Sequence, residues 1–342
     1  MNASCICQSI HRFTAVCRCN DAGAFEKETG HSPNARRVVI FDEVQYLKDW
    51  EVHLKVLTDK YPNTRFVASG SAAALKLKSH ESGAGRFTEF LLPPLTFAEF
   101  LSLRKREDEL IRSHETWCPV QFSTPDIQGL NEEFINYLNY GGYPEAVQNI
   151  EIQSNVQRFL GRDIVDKVLL RDLPNLYGIQ DVQELNRLFT RLTYHTGHEI
   201  SLEGLAQNSG LAKNTIMKYL EYLEAAFLIV RVKRVDETGK VFRRMRNFKV
   251  YLTNPTMRTA LFAPIGDGDE AMGALAETAV FSQWLGSDLA STIHYARWKQ
   301  GRLQHEVDLC RLTLCASNLN GLMKSSGRIV MPPPSQKPFE AY

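Results

Sequence analysis

The alternation of apolar and polar positions predicts an α/β unit in the first part of the chain. Residues 38–41 are four apolar residues, three of them β-branched, and residues 65–71 contain a second short apolar run. Runs of this length favour strands that are buried on both faces of a parallel sheet. Between them, residues 47–60 carry apolar side chains at helical spacing. The order strand, helix, strand predicts a parallel sheet.

Acidic and hydroxyl residues follow the two predicted strands. Asp42 and Glu43 come directly after the first strand, and Ser69 and Ser71 end the second. Because α/β folds bind ligands at the carboxyl edge of the sheet, we interpret Asp42 and Glu43 as a Walker B element. Asp42 is then expected to hold the Mg²⁺ of a nucleotide through water, and Glu43 to orient or deprotonate the attacking water. Ser69 and Ser71 are the candidates to sense the γ-phosphate. An ordinary strand that ends in an acidic turn is the alternative.

A possible second part of the nucleotide site follows a polar, glycine-rich stretch. Arg86 stands just before a strand-like run at residues 87–92, and Thr96-Phe-Ala-Glu99 is a capping box that opens a helix. An arginine in this place can neutralise a transferring phosphoryl group in a neighbouring subunit, which requires a homo-oligomer. The alternative is a solvated loop arginine or one that pairs locally.

The middle of the chain predicts two helices joined by a tight turn. A short helix begins after Ser201, a turn follows at residues 209–211, and a second helix with an apolar stripe leads to a β-rich run at residues 228–235. This is a winged-helix pattern. In DNA-binding proteins of this kind the second helix enters the major groove. The candidate DNA-contacting residues here are Lys213, Asn214, Thr215 and Lys218.

Basic residues are concentrated just after these helices. Residues 231–249 contain eight Lys and Arg residues and two acidic ones, a net charge of +6. Such a hairpin suits contact with phosphates, and Arg243, Arg244 and Arg246 are the candidates. Two alternatives stay open, because winged helices also serve as protein-interaction modules or interdomain packing units and a basic hairpin is often simply solvated.

Six segments follow one another along the chain: VVIFDEVQ, ASGSAAALK, GRFTEFLLPPLTFAEFL, GGYPEAV, VLLRDLPNLYGIQD and KVYLTNPTMRTALF. In this order they resemble the predicted prokaryotic AAA-type ATPases that carry a C-terminal domain of unknown function 4143. The resemblance covers about residues 37–310. It implies a multidomain α/β protein with a partial P-loop (AAA-type) parallel sheet, a winged helix and an incomplete restriction-endonuclease-like domain. Relatives of this kind are expected to bind ATP and Mg²⁺ and to couple hydrolysis to a nucleic-acid or protein partner.

The resemblance also assigns roles in the last third of the chain. In an active nuclease of the restriction-endonuclease-like fold, an early acid, a strand aspartate and a following Glu-x-Lys gather metal ions that activate water. Glu277 and Asp308 correspond to the first two ligands. No acidic residue occurs between Leu309 and Phe339, so the third carboxylate cannot follow. We therefore expect no nuclease activity.

The phosphate-binding loop of the resembled family is missing from the sequence. Such ATPases need a Gly-x-x-x-x-Gly-Lys-Ser/Thr loop, whose backbone N–H groups and lysine cradle the phosphates. The sole Gly-Lys pair is Gly239-Lys240, with Arg234 at the first glycine position and Val241 at the hydroxyl position. We therefore expect a degenerate or truncated member with Walker B but no Walker A, which does not bind ATP. The alternative is a non-enzymatic DNA-binding or scaffold protein that uses the winged helix.

Composition fits a multidomain protein without a membrane segment. The chain has 342 residues, of which 44% are hydrophobic, enough for two or three cores. A net charge of +1 says nothing about partners. Seven cysteines in a chain of this length indicate reduced thiols in the cytoplasm. No apolar stretch reaches membrane-spanning length. The expected divisions are a disordered leader (1–36), a partial ATPase domain (37–140), a helical linker with the winged helix (141–240), a partial nuclease-like domain (241–312) and an irregular tail (313–342).

Overall fold

The computed structural model describes residues 4–8, 36–47, 49–71, 87–114, 121–235, 247–287, 290–300, 303–312, 319–323 and 329–330. The chain divides into two units, Met1–Leu91 and Leu92–Tyr342. A mixed α/β architecture with a parallel sheet is confirmed. Within the described ranges, no helix is both long enough and apolar enough to cross a membrane.

The first unit contains a parallel sheet of three strands. The strands are β1 (Ser4–Gln8), β2 (Arg37–Phe41) and β3 (Thr64–Ala68), with β2 in the middle. A 3₁₀ turn, Val44–Tyr46, and a helix, Trp50–Lys60, connect β2 to β3. The core of this unit consists of apolar side chains from the sheet, the turn and the helix: Val39, Phe41, Val44, Leu54, Leu57 and Tyr61. The predicted strand, helix and strand are all present.

The structure differs from the sequence interpretation at the start of the chain. Residues 4–8, which we expected to lie in a disordered leader, form β1 and pair in register with β2 from Ser4 opposite Arg37 to Gln8 opposite Phe41. A five-residue strand is stabilised by its partner strand, and that partner lies about thirty residues away in sequence, so local periodicity gave no signal.

The second unit contains most of the helices. The long ones are Ile127–Tyr140, Val182–Tyr194, Lys213–Ala225 and Met272–Ser282, together with a π-helical stretch at Phe159–Asp172. The shorter helices are Phe97–Leu103, Glu107–Leu110, Pro144–Gln148, Ile150–Ser154, Val156–Arg158, Leu173–Tyr177 and Leu202–Ser209, with 3₁₀ turns at Pro255–Ala260 and Ala290–Thr292. The predicted capping box of Thr96 and Glu99 is present at the start of helix 97–103.

A seven-stranded sheet runs through the second unit. Its strands are β6 (Glu199–Ser201), β7 (Ile229–Val235), β8 (Asn247–Leu252), β9 (Ile293–Gln300), β10 (Leu303–Leu312), β11 (Leu319–Met323) and β12 (Ile329–Val330). The order is β12-β11-β10-β9-β7-β8-β6, and all pairs are antiparallel except β7 with β9. In a separate two-stranded sheet, β4 (Arg112–His114) pairs with β5 (Gln121–Ser123) in antiparallel fashion. The sheet thus links the middle of the chain to its last third.

The boundary expected near residue 140 does not separate two compact units. The Asn139 side chain donates to Ile265 O and accepts from Ile265 N, both at 2.9 Å. The Thr256 hydroxyl accepts from Gly142 N at 3.1 Å and donates to Tyr137 O at 3.2 Å. These buried hydrogen bonds join segments more than 110 residues apart. The observed division falls after residue 91 instead.

Two further predictions of local structure are wrong. Residues 87–92 form no strand, and Phe90 and Leu92 are 89% and 93% exposed. The prolines at 93 and 94 oppose continued pairing, and no partner strand is found among the described residues. In the expected irregular tail, residues 319–323 and 329–330 form β11 and β12, because β10 offers its free edge to β11.

Candidate functional site

The predicted Walker B aspartate lies at the carboxyl edge of the parallel sheet. Asp42 follows β2 directly and is exposed, while Ser69 follows β3 directly. The Ser69 hydroxyl donates a hydrogen bond to the Asp42 carboxylate. Two backbone bonds hold the strand ends together: Ser69 N to Phe41 O at 2.8 Å and Val44 N to Ser69 O at 3.0 Å. The sheet therefore brings a carboxylate and a hydroxyl side by side, although their residues are 27 positions apart in the sequence.

The neighbouring candidates differ in how they are held. Glu43 has a left-handed backbone conformation with φ of 56°, which is uncommon for a residue with a side chain. Its carboxylate accepts a hydrogen bond from the Gln45 amide. The Ser71 hydroxyl is buried and has no hydrogen-bond partner in the described part of the chain. Arg86 lies outside the described residues, so its predicted role stays a prediction.

These oxygens suit a hard cation better than a triphosphate. Carboxylate, hydroxyl and water oxygens are the ligands that Mg²⁺ prefers, and Asp42 and Ser69 supply two of them. A triphosphate also needs backbone N–H groups and a lysine at its β- and γ-phosphates, and the sequence contains no such loop. Asp42 and Ser69 therefore offer oxygen ligands of the kind that Mg²⁺ prefers, and the sequence contains no phosphate-binding loop to accompany them.

The predicted DNA-contacting helix is Lys213–Ala225. Lys213, Asn214 and Lys218 are exposed on it, whereas Thr215 is half-buried. Lys213 also forms an ion pair with Glu203 of the preceding helix, at 3.3 Å. The side chains that the sequence singled out thus share one exposed region, and one of the cations has a local partner.

Internal contacts reduce the charge expected for the basic run at residues 231–249. Arg231 forms an ion pair with Glu224, Arg234 donates to Arg297 O, and Lys249 is buried. Three of the four basic residues described in this run therefore face partners inside the protein, and the fourth, Lys233, is exposed. The surface charge is smaller than the +6 counted from sequence. Arg243, Arg244 and Arg246 lie outside the described residues.

Lys249 instead lies at the centre of a buried charge cluster. Its ammonium is 2.7 Å from Asp308 Oδ1, and 3.2 Å from both Glu306 Oε1 and Glu277 Oε1. The lysine side chain is 3% exposed and that of Asp308 is 5% exposed. Strands β8 and β10 and helix 272–282 supply these four residues. The structure thus brings the two predicted metal ligands, Glu277 and Asp308, together around an ammonium group.

Burial and mutual charge set the protonation of this cluster. Burial raises the pKa of Glu277, and it raises the pKa of Tyr251, whose hydroxyl donates to Glu277, well above its ordinary value. Burial alone would lower the pKa of Lys249, but the carboxylates of Glu277, Asp308 and Glu306 outweigh it and the pKa is raised. Lys249 is therefore charged at neutral pH and neutralises part of the carboxylate charge.

Sequence reasoning missed the role of Lys249, which it counted only among the basic residues of the run at 231–249. A lysine is almost never fully buried unless it is paired, and the alternation along β8 puts Lys249 on the face opposite Phe248 and Val250, where a polar side chain is ordinarily exposed to solvent. Local sequence therefore contains no signal for the burial of Lys249, because β8 is covered on both faces. In the ranges that the structure describes, no group of three or more His, Cys, Asp or Glu residues is arranged to hold a metal ion. For Glu277 and Asp308 the reason is visible, because the Lys249 ammonium contacts both.

Two family models match separate parts of the chain. An AAA domain matches residues 14–101, and a domain of unknown function, DUF8612, matches residues 131–267. The first match includes the edge at Asp42 and Ser69 and supports an AAA-type ATPase-like family. The second covers the helices and strands around residues 182–252. This domain is numbered differently from domain 4143, which the sequence resemblance had indicated, and its function is unknown.

Two curated relatives match most of the chain. One is an uncharacterized protein of Methanocaldococcus jannaschii, 25% identical over 254 residues, which are 71% of this chain and 52% of the relative. The other is an uncharacterized protein of Haemophilus influenzae, 25% identical over 236 residues, which are 66% of this chain and 53% of the relative. The chain spans about half the length of both relatives.

Proposed function

We propose that residues 36–71 are the Walker B and sensor edge of an AAA-type ATPase-like domain. The observation that carries this proposal is the hydrogen bond from Ser69 to Asp42 at the carboxyl edge of a parallel sheet. Asp42 would hold Mg²⁺ through water, and Glu43 would orient the attacking water. Ser69 and Ser71 would contact the γ-phosphate. The AAA match over residues 14–101 supports the same assignment.

In this proposal the chain does not bind or hydrolyse ATP by itself. The like-charged carboxylates of Asp42 and Glu43 repel a triphosphate unless Mg²⁺, a lysine and backbone donors compensate, and the sequence offers no phosphate loop. ATP and Mg²⁺ are the ligands expected of the family. In a homo-oligomer, Arg86 would face the Walker B edge of the neighbouring subunit, which is the place from which an arginine neutralises a transferring phosphoryl group in relatives that have the loop.

Steady-state phosphate release tests this proposal. The purified chain should release phosphate from Mg·ATP no faster than a no-protein control, and Asp42→Asn and Glu43→Gln should change nothing. Turnover that falls in both variants would mean that another segment supplies the phosphate donors, and that the chain is an active ATPase.

A second candidate function is DNA contact through a winged helix, which we propose from one specific arrangement. Helix 182–194, β6, helices 202–209 and 213–225, β7 and β8 follow one another, with β6 and β7 on either side of β8. This order suits a winged helix with helix 213–225 as the recognition helix and the β7–β8 connection as the wing. Lys213, Asn214, Thr215 and Lys218 would then meet a major groove.

Salt-dependent DNA binding tests this second candidate. If Arg243, Arg244 and Arg246 contact phosphates, replacing all three with Ala should reduce the slope of log K against log salt by about 2.7, at about 0.9 for each phosphate. Specific base readout is not required for this result. An unchanged slope would mean that the β7–β8 connection does not contact DNA and serves in protein packing or is simply solvated.

A further inference from the structure

A groove of about 570 Å³ runs beside the turn of the helix–turn–helix segment. Helix Val182–Tyr194 forms one wall and presents Arg187 and Arg191. The end of helix Leu202–Ser209 and the following turn form the other wall, with Asn208 and Leu211. We call this feature the Arg187–Arg191 groove. None of its residues belongs to the candidate sites described above.

The two arginines are available for a ligand. They are four residues apart on one helix, which corresponds to a rise of about 6 Å along the axis. Arg187 is exposed and Arg191 is half-buried, and neither guanidinium has a carboxylate partner in the described part of the chain. Glu184 is the single carboxylate among the described residues that line the groove. The groove therefore carries two arginines that form no ion pair among the described residues and one acid, a net charge of +1.

The other polar groups are mainly donors. The Thr190 and Ser209 hydroxyls already donate to the carbonyls of their own helices. The Asn208 amide and the Tyr194 hydroxyl have no partner of this kind, and Tyr194 is 62% exposed with its ring 5.8 Å from that of Phe262. Guanidinium, amide and phenol groups together suit an anionic ligand that accepts hydrogen bonds.

Burial lowers the pKa of His195 at the end of this helix, and the charge of the nearby Arg191 adds to the effect. His195 is therefore neutral at pH 7 and does not add a third positive charge. The positive charge of the groove depends on the two arginines, which makes the ligand contact testable by substitution.

We infer that the Arg187–Arg191 groove binds the backbone phosphates of duplex DNA next to the recognition helix. The inference rests on the proposed winged helix, because Leu211 lines the groove and Lys213, two residues later, begins helix 213–225. A DNA strand that reaches the start of this helix passes the groove. The two guanidinium groups then meet successive phosphates and fix the position of the duplex without reading its sequence.

An acidic peptide has part of the same chemistry, but two observations favour DNA. The two cations are placed one helical turn apart, which suits evenly spaced phosphates. The groove is also lined by Leu211 in the turn that leads into helix 213–225, on which Asn214 and Lys218 are exposed. A peptide site would need no such place beside a helix–turn–helix segment.

The experiment is fluorescence anisotropy of a labelled duplex with the full chain across a range of salt concentrations. Arg187→Ala with Arg191→Ala should reduce the salt slope by about 1.8, because each lost phosphate contact removes about 0.9. The matched control is Arg158→Ala with Arg162→Ala, an exposed arginine pair with the same spacing that does not line the groove. The control slope should equal that of the unmodified chain. Circular dichroism of both double variants checks that they fold.

The outcomes separate this inference from the winged-helix proposal. If Lys218→Ala weakens binding while the Arg187 and Arg191 variant keeps the full slope, the groove inference is wrong and the recognition helix stands. If the salt slope falls in the Arg187 and Arg191 variant and Lys218→Ala leaves binding unchanged, the groove binds phosphates and helix 213–225 is not the recognition helix. No binding to duplex DNA at low salt would overturn both. Binding of a poly-glutamate peptide without DNA binding would make the groove a peptide site.

Discussion

Replacing Lys249 with Met should destabilise the second unit more than any exposed charge change. The substitution keeps the apolar stem but removes the ammonium from between Glu277, Glu306 and Asp308. At distances of 2.7 to 3.2 Å, each ion pair has a gross Coulomb energy of ~5–6 kcal/mol at an effective dielectric constant of 20. Desolvation offsets most of that energy. Removing one partner of a buried pair nevertheless costs about 3–5 kcal/mol, because the remaining charges stay buried and unpaired.

Urea denaturation measures this loss, and its pH dependence tests the cause. Burial already raises the pKa of Glu277, and without the ammonium that opposes this effect the folded-state pKa of Glu277 should rise further above its unfolded value. The folded variant then binds more protons than the unfolded chain, so its stability falls as pH rises through that window. The cost of Lys249→Met should therefore be larger at pH 8 than at pH 5.

An exposed pair provides the matched control. Lys213 lies 3.3 Å from Glu203, and their side chains are 53% and 70% exposed. Lys213→Met should change the free energy of unfolding by less than about 1 kcal/mol, because exposed ion pairs contribute little. Two contrary results are that Lys249→Met lowers the free energy of unfolding by less than about 1 kcal/mol, or by the same amount at both pH values. Either result would refute the claim that Lys249 stabilises a buried charge cluster.

Three further predictions concern cleavage, packing and pH. Mg²⁺ or Mn²⁺ should support no cleavage of single-stranded, duplex or branched DNA, and cleavage that Asp308→Ala abolishes would contradict this. Gly142→Ala should cost about 1–3 kcal/mol in urea denaturation, because an added Cβ would overlap the buried Asn254 side chain, whereas Gly273→Ala meets open space and should cost nothing. The folded pKa of His195 is lowered, so its contribution to stability is present above pH 6.5 and is lost as pH falls. His195→Asn should remove that part of the pH dependence between pH 7.5 and 5.5, and an unchanged dependence would count against it.

Features encoded locally were predictable from the sequence. The apolar run of β2, the helix at residues 50–60, the capping box at Thr96 and the two helices around Gly210 each follow from periodicity or capping chemistry within a few residues. The pairing of Ser69 with Asp42 was also within reach, because neighbouring parallel strands end at the same edge.

Features that depend on distant partners were not predictable. Strand β1 is short and is stabilised by β2, and β11 by β10. The cluster around Lys249 joins residues up to 59 positions apart, and only the sheet order brings them together. Composition counted Lys249 as a surface cation, because the charge of a residue does not reveal which face of its strand is buried.

The most direct test of the central claim is a calorimetric titration of the chain with ATP in the presence of Mg²⁺. The claim is that Asp42 and Ser69 form a Walker B and sensor edge that lacks its phosphate cradle. The account predicts no saturable heat for the unmodified chain and none for Asp42→Asn. Tight, Mg²⁺-dependent binding that disappears in Asp42→Asn would contradict the account, because it would require phosphate donors from another part of this chain.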